Sequence, residues 1–206
     1  MKRICAKAAL KLVPDHGGIG LGGGETISYL CEYIKENGKN VDVITPSDRT
    51  KEVCEQLGIS VIDTKDADDV KIAFDGCDQV DHDLNAYKSA GGIHTKEKII
   101  AKMAQEYVLL VDETKVVTRL ECKVPIVLEI VPEAVSYVSE QTKKLGAKVK
   151  KRDEHLLELY LDEIKDLETL DKQLKQITGV IETSLFYHIA TKAVIAGKDG
   201  ITIMNR

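Results

Sequence analysis

No apolar run in this chain reaches the roughly 18 residues that a membrane-spanning helix needs. The opening MKRICAKAALKLVPD is also too short and too broken for a signal peptide. A membrane role is not expected. Basic residues are not in surplus: the formal charge is −5 with both signs interspersed, so no basic face announces nucleic acid and none is expected as a partner. Cys5, Cys31, Cys54, Cys77 and Cys122 are odd in number and lack CxxC spacing, which argues against a disulfide framework and against a zinc site. The expected compartment is a reducing cytoplasm. His16, His82, His94, His155 and His188 show neither HxH nor HExxH spacing, so surface or packing roles are expected of them rather than ligation, and no metal is expected. Low-complexity segments and repeats are absent.

What is present is a chain of 206 residues with 43% apolar content, enough for one domain with a sizeable core and a small appendage. Its organising stretch is Ala73 to Ala104, AFDGCDQVDHDLNAYKSAGGIHTKEKIIAKMA. An apolar strand stopping in Asp75-Gly76-Cys77-Asp78 puts carboxylates at its carboxyl edge, where open α/β sheets form their ligand crevice. Lys88 and then Glu97, in the first turn of a helix, follow within the same stretch.

Read in order, Lys2 to Val13 places Ile4, Ala8 and Leu12 on one face and predicts a helix. Gly18 to Leu21 predicts a strand, Glu25 to Asn37 a helix closed by Gly38, Val41 to Thr45 a strand, Ser47 to Leu57 a helix closed by Gly58, and Ile59 to Asp63 a strand. KIAFD, a central loop, the helix Thr95 to Ala104 and YVLLVD continue the alternation, which implies a doubly wound, mostly parallel sheet. From Val124 the rhythm changes. VPIVLEIV, a helix from Pro132 to Leu145, AKVKKR, LLELYL, a helix from Leu167 to Ile177 and the strand GVIETSLF give the order β-α-β-β-α-β, the split ferredoxin-like unit. Residues 124–186 are therefore expected to form an inserted α+β lobe. Residues 1–123 and the strand-rich 187–206 remain for a Rossmann-like domain.

The run Gly17-Gly18-Ile19-Gly20-Leu21-Gly22-Gly23-Gly24 sits between strand and helix, where bare amides can approach an anion. It contains a G-x-G-x-x-G match, but a dinucleotide site wants an acid at the end of the second strand. Asp42 comes too early and Asp48 lies beyond a proline. A glycine-rich turn serving only tight strand-helix packing is the plainer reading. Elsewhere, Asp75 and Asp78 read equally as turn-formers, Glu97 as a first-turn helix acid, and Lys88 as a surface lysine. Asp81 and Asp83 look like solvated loop acids. Cys77, with no adjacent histidine to activate it, reads as a small packing residue rather than a nucleophile.

Taken together, the segments GLGGGET, DGCDQVD, KSAGGI, KEK and DETK resemble, in this order and near these spacings, the GxGTGST, DGADEVD, KGGGGA, REK and DESK segments of ribose-5-phosphate isomerase of the A type. The resemblance covers nearly the whole chain. It implies a cofactor-free aldose-ketose isomerisation through an enediol. In that scheme Glu97 is the base carrying a proton between C1 and C2, and Lys88 is the cation that holds the oxyanion. Asp75 helps open the sugar ring and Asp78 orients hydroxyls. It further implies a sugar-phosphate substrate bound by Lys2, Gly23, Gly24, Glu25, Thr26, Ser89, Ala90, Gly91 and Lys115, and a homo-oligomer, either dimer or tetramer.

The chain departs from the family at several of these points. Gly23 and Glu25 stand where the family offers hydroxyls. A carboxylate about 6 Å from a phosphate at an effective dielectric near 20 costs roughly 3 kcal/mol per unit of phosphate charge. Glu25 is therefore expected either to weaken binding or to point outward, where the helix dipole favours an acid. Ser89 and Ala90 replace glycines, and His94, which replaces an apolar family residue three positions before Glu97, is expected to narrow the pocket. The lobe turn Lys151 to His155 is shorter and more charged. Two alternatives follow: an isomerase for another pentose or pentose phosphate, and a sugar-phosphate binder of the same fold without catalysis.

Overall fold

A computed structural model describes residues 1–206. Six parallel strands form the main sheet: β1 (His16–Leu21), β2 (Asn40–Ile44), β3 (Ser60–Ile62), β4 (Val70–Asp75), β7 (Ala104–Asp112) and β14 (Lys192–Gly197). The antiparallel β15 (Gly200–Asn205) closes one edge, and the spatial order is β15-β14-β7-β4-β1-β2-β3. The chain steps from β1 to β2 and β3 on one side, then crosses to place β4 on the other. The carboxyl ends of β1 and β4 thus flank the point where the winding reverses, where such sheets bind ligands.

Helices cover both faces of this sheet, as the alternating pattern implies. On one face α1 (Lys2–Ala9), α2 (Glu25–Glu36) and α3 (Asp48–Leu57) bury Cys5, Ala6, Ile27, Leu30, Ile34 and Cys54 against Ile19, Leu21 and Phe74. Each large aliphatic buried in this way contributes about 1.5–3 kcal/mol relative to exposure. Local chemistry sets the helix ends. Ser47 accepts from the Thr50 N–H at 3.3 Å to cap α3, and Gly58 ends it in the left-handed region at φ 64°. The opening helix is shorter than its amphipathic pattern predicts, because its last turn tightens to a 3₁₀ turn at Leu10–Leu12 before Pro14.

On the other face, Ile100 and Ala101 of α4 (His94–Met103) pack on Ala73, Tyr107 and Leu109, together with a small sheet that the sequence pattern does not announce. Within the stretch expected to be a loop lie β5 (Gln79–Asp81) and β6 (Ala86–Tyr87), paired with β8 (Val116–Val117) and β13 (Leu185–Phe186) in the order β13-β6-β5-β8. Asp81 is a correction to its reading as a solvated acid. It is buried in the β5–β6 turn, where its carboxylate accepts from the N–H groups of Asp83 and Asn85 and from the Asn85 amide at 2.8–3.0 Å.

A third sheet holds β9 (Ile126–Ile130), β10 (Lys148–Lys151), β11 (Leu156–Tyr160) and β12 (Val180–Thr183), antiparallel in the order β10-β11-β9-β12. With α5 (Val135–Lys144) and α6 (Leu167–Lys175) between its strands, this is the split β-α-β-β-α-β arrangement. The strand expected across GVIETSLF is interrupted at Ser184. Its first half stays in the lobe sheet and its second half joins β6.

Candidate active site

The acid and the cation meet because of the β5–β6 hairpin. Gln79 pairs with Tyr87 and Val80 with Ala86, and the Asp78 N–H donates to the Tyr87 carbonyl at 2.8 Å. This register sets Asp78 beside Lys88 across the ribbon, although ten positions separate them in sequence. Asp78 Oδ2 then accepts the N–H groups of Ser89 at 2.6 Å and Ala90 at 3.0 Å, which fixes the first turn of the lysine loop.

Asp75 ends β4 and is 3% exposed, while Lys88 and Glu97 are each 7% exposed. Lys88 Nζ lies 2.8 Å from Asp75 Oδ2, 3.3 Å from Glu97 Oε1 and 2.7 Å from the Gly76 carbonyl oxygen. The Tyr107 hydroxyl, from the neighbouring strand, donates to Asp75 Oδ2 at 3.3 Å. Such proximity demands Gly22: a Cβ there would fall 1.9 Å from Asp75 Oδ1. In the next turn Gly24 adopts φ 101° as it enters α2, a conformation that side chains disfavour.

Two buried carboxylates share one ammonium, and the electrostatics follow. Burial by itself would lower the Lys88 ammonium, but the Asp75 and Glu97 charges outweigh it and hold the lysine above its ordinary value. The Glu97 carboxyl is pushed up to about 7, by burial first and the Asp75 charge second, against the pull of Lys88. A carboxylate that titrates near neutrality is suited to take and return a proton. Burial pushes the Cys77 thiol up to about 12, so it carries no thiolate at neutral pH and packs in the wall.

These groups open on a cavity of about 430 Å³ lined by Gly23, Gly24, Ser47, Asp75, Gly76, Cys77, Asp78, Lys88, Ala90, Gly91, Ile93, Glu97 and Lys115. Of the residues singled out in the sequence, Asp75, Asp78, Lys88, Glu97, Gly23, Gly24, Ala90, Gly91 and Lys115 therefore share one wall. Four others do not line it. The Ser89 hydroxyl turns away toward the Pro125 carbonyl at 2.5 Å and Ser184 Oγ at 2.9 Å. Lys2 and Thr26 line a separate crevice of about 40 Å³, which shares only Lys115 with the main cavity. Glu25 is exposed and bound to Lys2 Nζ at 2.5 Å and the Tyr29 hydroxyl at 2.6 Å. Of the two orientations considered for Glu25, the outward one is present.

His94 does not narrow the cavity; Ile93 lines it instead. The His94 ring is fully buried, with Nε2 3.3 Å from the Glu182 carbonyl oxygen. Because a carbonyl only accepts, Nε2 carries the proton, and burial keeps the ring neutral by pushing its pKa down to about 4. The charged lobe turn also has a role. Arg152 Nη1 donates to the Ser89 carbonyl at 2.8 Å while its Nε pairs with Glu158 at 2.9 Å, tying the lysine loop to β11. Ser47 and Tyr107 went unnoticed in the sequence. Ser47 carried a capping signal, and Tyr107 carried none beyond an apolar strand.

The model of the family "Ribose 5-phosphate isomerase A (phosphoriboisomerase A)" matches residues 42–200. The chain belongs to this family. It is 31% identical to the ribose-5-phosphate isomerase A of Pyrococcus furiosus, over 100% of this chain and 98% of that protein. Among solved structures it superposes on ribose 5-phosphate isomerase A from Methanocaldococcus jannaschii with TM-score 0.90 and 32% identity, covering 100% and 98% of the two chains. A D-ribose-5-phosphate isomerase in complex with phospho-erythronic acid aligns with TM-score 0.92 and 29% identity, covering 100% and 97%. The protein is thus an isomerase on an α/β scaffold, and no helix in it is long and apolar enough to cross a membrane.

Proposed function

We propose that this protein interconverts D-ribose 5-phosphate and D-ribulose 5-phosphate, with Glu97 as the general base. The observation that carries the reading is the buried Asp75–Lys88–Glu97 cluster on the cavity wall, with its glutamate titrating near neutrality. Glu97 carboxylate takes the proton from C2 of the open-chain aldose, the electron pair forms the C1–C2 double bond, and negative charge collects on O1. Lys88 Nζ faces that oxygen and stabilises it. O1 takes up a proton to give the enediol, O2 gives one up in exchange, and Glu97 returns its own proton to C1, leaving a hydroxyl on C1 and a ketone at C2. Asp75 assists ring opening and Asp78 orients hydroxyls, consistent with its hold on the lysine loop.

The cavity is roomy enough for a pentose phosphate. Gly23, Gly24, Ser47 and Lys115 provide bare backbone, a hydroxyl and a cation for the phosphate end. The chemistry as written uses no cofactor. We further read residues 124–186 as an inserted lobe, the assembly as a homo-oligomer of dimer or tetramer size, and the compartment as the cytoplasm. The last fits five free cysteines, four of them buried. A coupled assay for ketopentose formation tests the substrate: turnover is expected with ribose 5-phosphate and not with unphosphorylated pentoses. Stabilisation by ribose 5-phosphate without turnover would show a binding protein instead.

Glu25 stands where the family offers a hydroxyl, and its outward orientation gives a quantitative expectation. Two exposed unit charges about 10 Å apart in water interact by about 0.4 kcal/mol, and a carboxylate with a doubly charged phosphate by about 0.8 kcal/mol. Glu25→Ser is therefore expected to lower the KM for ribose 5-phosphate by no more than about fourfold, an effect erased by high salt. A tenfold or larger fall that persists in salt would mean that the carboxylate faces the phosphate.

A further inference from the structure

Beside the base, helix α4 carries a second buried charge that the reaction does not use. Lys98 is 2% exposed. Its Nζ donates to the carbonyl oxygens of Thr183 at 2.5 Å and Leu185 at 2.9 Å and lies 3.0 Å from Glu182 Oε1. Glu182 is shared with Lys175 at 3.0 Å, Lys175 pairs with Asp171 at 2.7 Å, and Asp171 accepts the Thr183 hydroxyl at 2.6 Å. The Phe186 ring closes the site, 4.9 Å below the ammonium.

The backbone that Lys98 grips also holds the other half of the active site. Between Glu182 and Leu185 every carbonyl is engaged by a residue of the catalytic stretch. His94 reaches that of Glu182, Lys98 those of Thr183 and Leu185, and the Lys88 N–H that of Ser184 at 2.9 Å. Helix α4 and the lysine loop are thus both indexed on one four-residue segment. The next residue after Glu97 sets its helix on that segment, while the cation's own backbone rests on the carbonyl between the two that Lys98 binds.

We propose that Lys98 is a positioning residue, which locks α4 onto the Glu182–Leu185 backbone and thereby sets the reach of Glu97 to Lys88 and to the substrate carbons. An ammonium is suited to this because it donates up to three hydrogen bonds at once to acceptors on different strands. Burial lowers it to about 8, with the Glu182 charge opposing and Lys175 adding to the fall. Glu182 therefore helps to keep it a cation at neutral pH.

The inference rests on the reading of Glu97 as the base, and the two can be separated. Lys98→Met keeps the side chain's length and removes its donors. It is expected to lower kcat for ribose 5-phosphate at least about tenfold, to leave KM within about twofold, and to move the acidic limb of the kcat/KM profile away from pH 7. A lower Tm with kcat and the acidic limb unchanged would make Lys98 merely structural and overturn the proposal. Should Lys98→Met not fold, Glu182→Gln decides. It keeps both carbonyl contacts but loosens the ammonium, so a severalfold fall in kcat at constant KM is expected, and an unchanged kcat refutes the positioning role. An active Glu97→Gln would instead remove the base itself. An inactive Glu97→Gln beside a fully active Lys98→Met removes only the positioning claim.

Discussion

Glu97→Gln is expected to lower kcat at least about a hundredfold while leaving KM within a few-fold, since a positioned general base contributes roughly 10²–10⁴ in rate. The amide keeps the size and the hydrogen-bonding reach of the acid but cannot accept the proton of C2. The wild-type pH profile carries the same information. With its carboxyl pushed up to about 7 by burial and by Asp75, the base form is lost as pH falls, so kcat/KM should drop about tenfold per pH unit below 7. The Gln variant should lose that limb.

Stability provides the control, and its sign is fixed by the same shift. Folded Glu97 keeps its proton up to about pH 7, whereas an unfolded glutamate releases it near 4.3. In that window the native state binds more protons, so this group's contribution falls as pH rises through it. A glutamine, which resembles the protonated acid, escapes the loss. Glu97→Gln should therefore unfold no earlier than wild type at pH 8. An inactive variant that has also lost its fold would say nothing for the base; an active, well-folded one would end its candidacy.

Lys88→Met should be as damaging to rate and far more damaging to the fold. Removing one preorganised oxyanion donor costs about 10²–10³ in kcat. Asp75 and Glu97, 3% and 7% exposed, would then face each other without the ammonium at 2.8 and 3.3 Å that separates their charges. Breaking a buried pair in this way costs about 3–5 kcal/mol, and a chain of this size loses about 2–4 °C of Tm per kcal/mol. A fall on the order of 10 °C is expected by calorimetry. Because the Lys88 charge pulls Glu97 down, residual activity should show its acidic limb at higher pH than wild type. A limb that stays put would mean that another group controls it.

The main sheet was legible where a strand is an apolar run ended by a turn or helix signal, as with Val41 to Thr45 ahead of Ser47 and Gly58 around α3. The carboxyl edge at Asp75 was legible for the same reason. The β5–β6 ribbon was not, since strands of three and two residues are too short to show a period of two. The break at Ser184 leaves no local trace either; it comes from two sheets claiming successive residues of one segment. Among the site residues, Glu25 was ambiguous because its partner Lys2 lies 23 positions earlier and is brought close only by the packing of α1 on α2. Lys98 sat unnoticed in KEK, where a lysine reads as surface charge. Only the arrival of β12 and β13 above α4 buries it.

The passage of a single extended segment from the lobe's sheet into the ribbon beneath the crevice bears on how sugars are received. Between Thr183 in one layer and Leu185 in the other lies Ser184 alone, and both its backbone groups are held, its N–H donating to the Val127 carbonyl and its carbonyl accepting from the Lys88 N–H. The two layers must tilt together or not at all. The side of the crevice that carries Lys88 is therefore in place before a sugar arrives, and little binding free energy goes into ordering it. On that side, the shape offered to a sugar is the one the folded chain already holds.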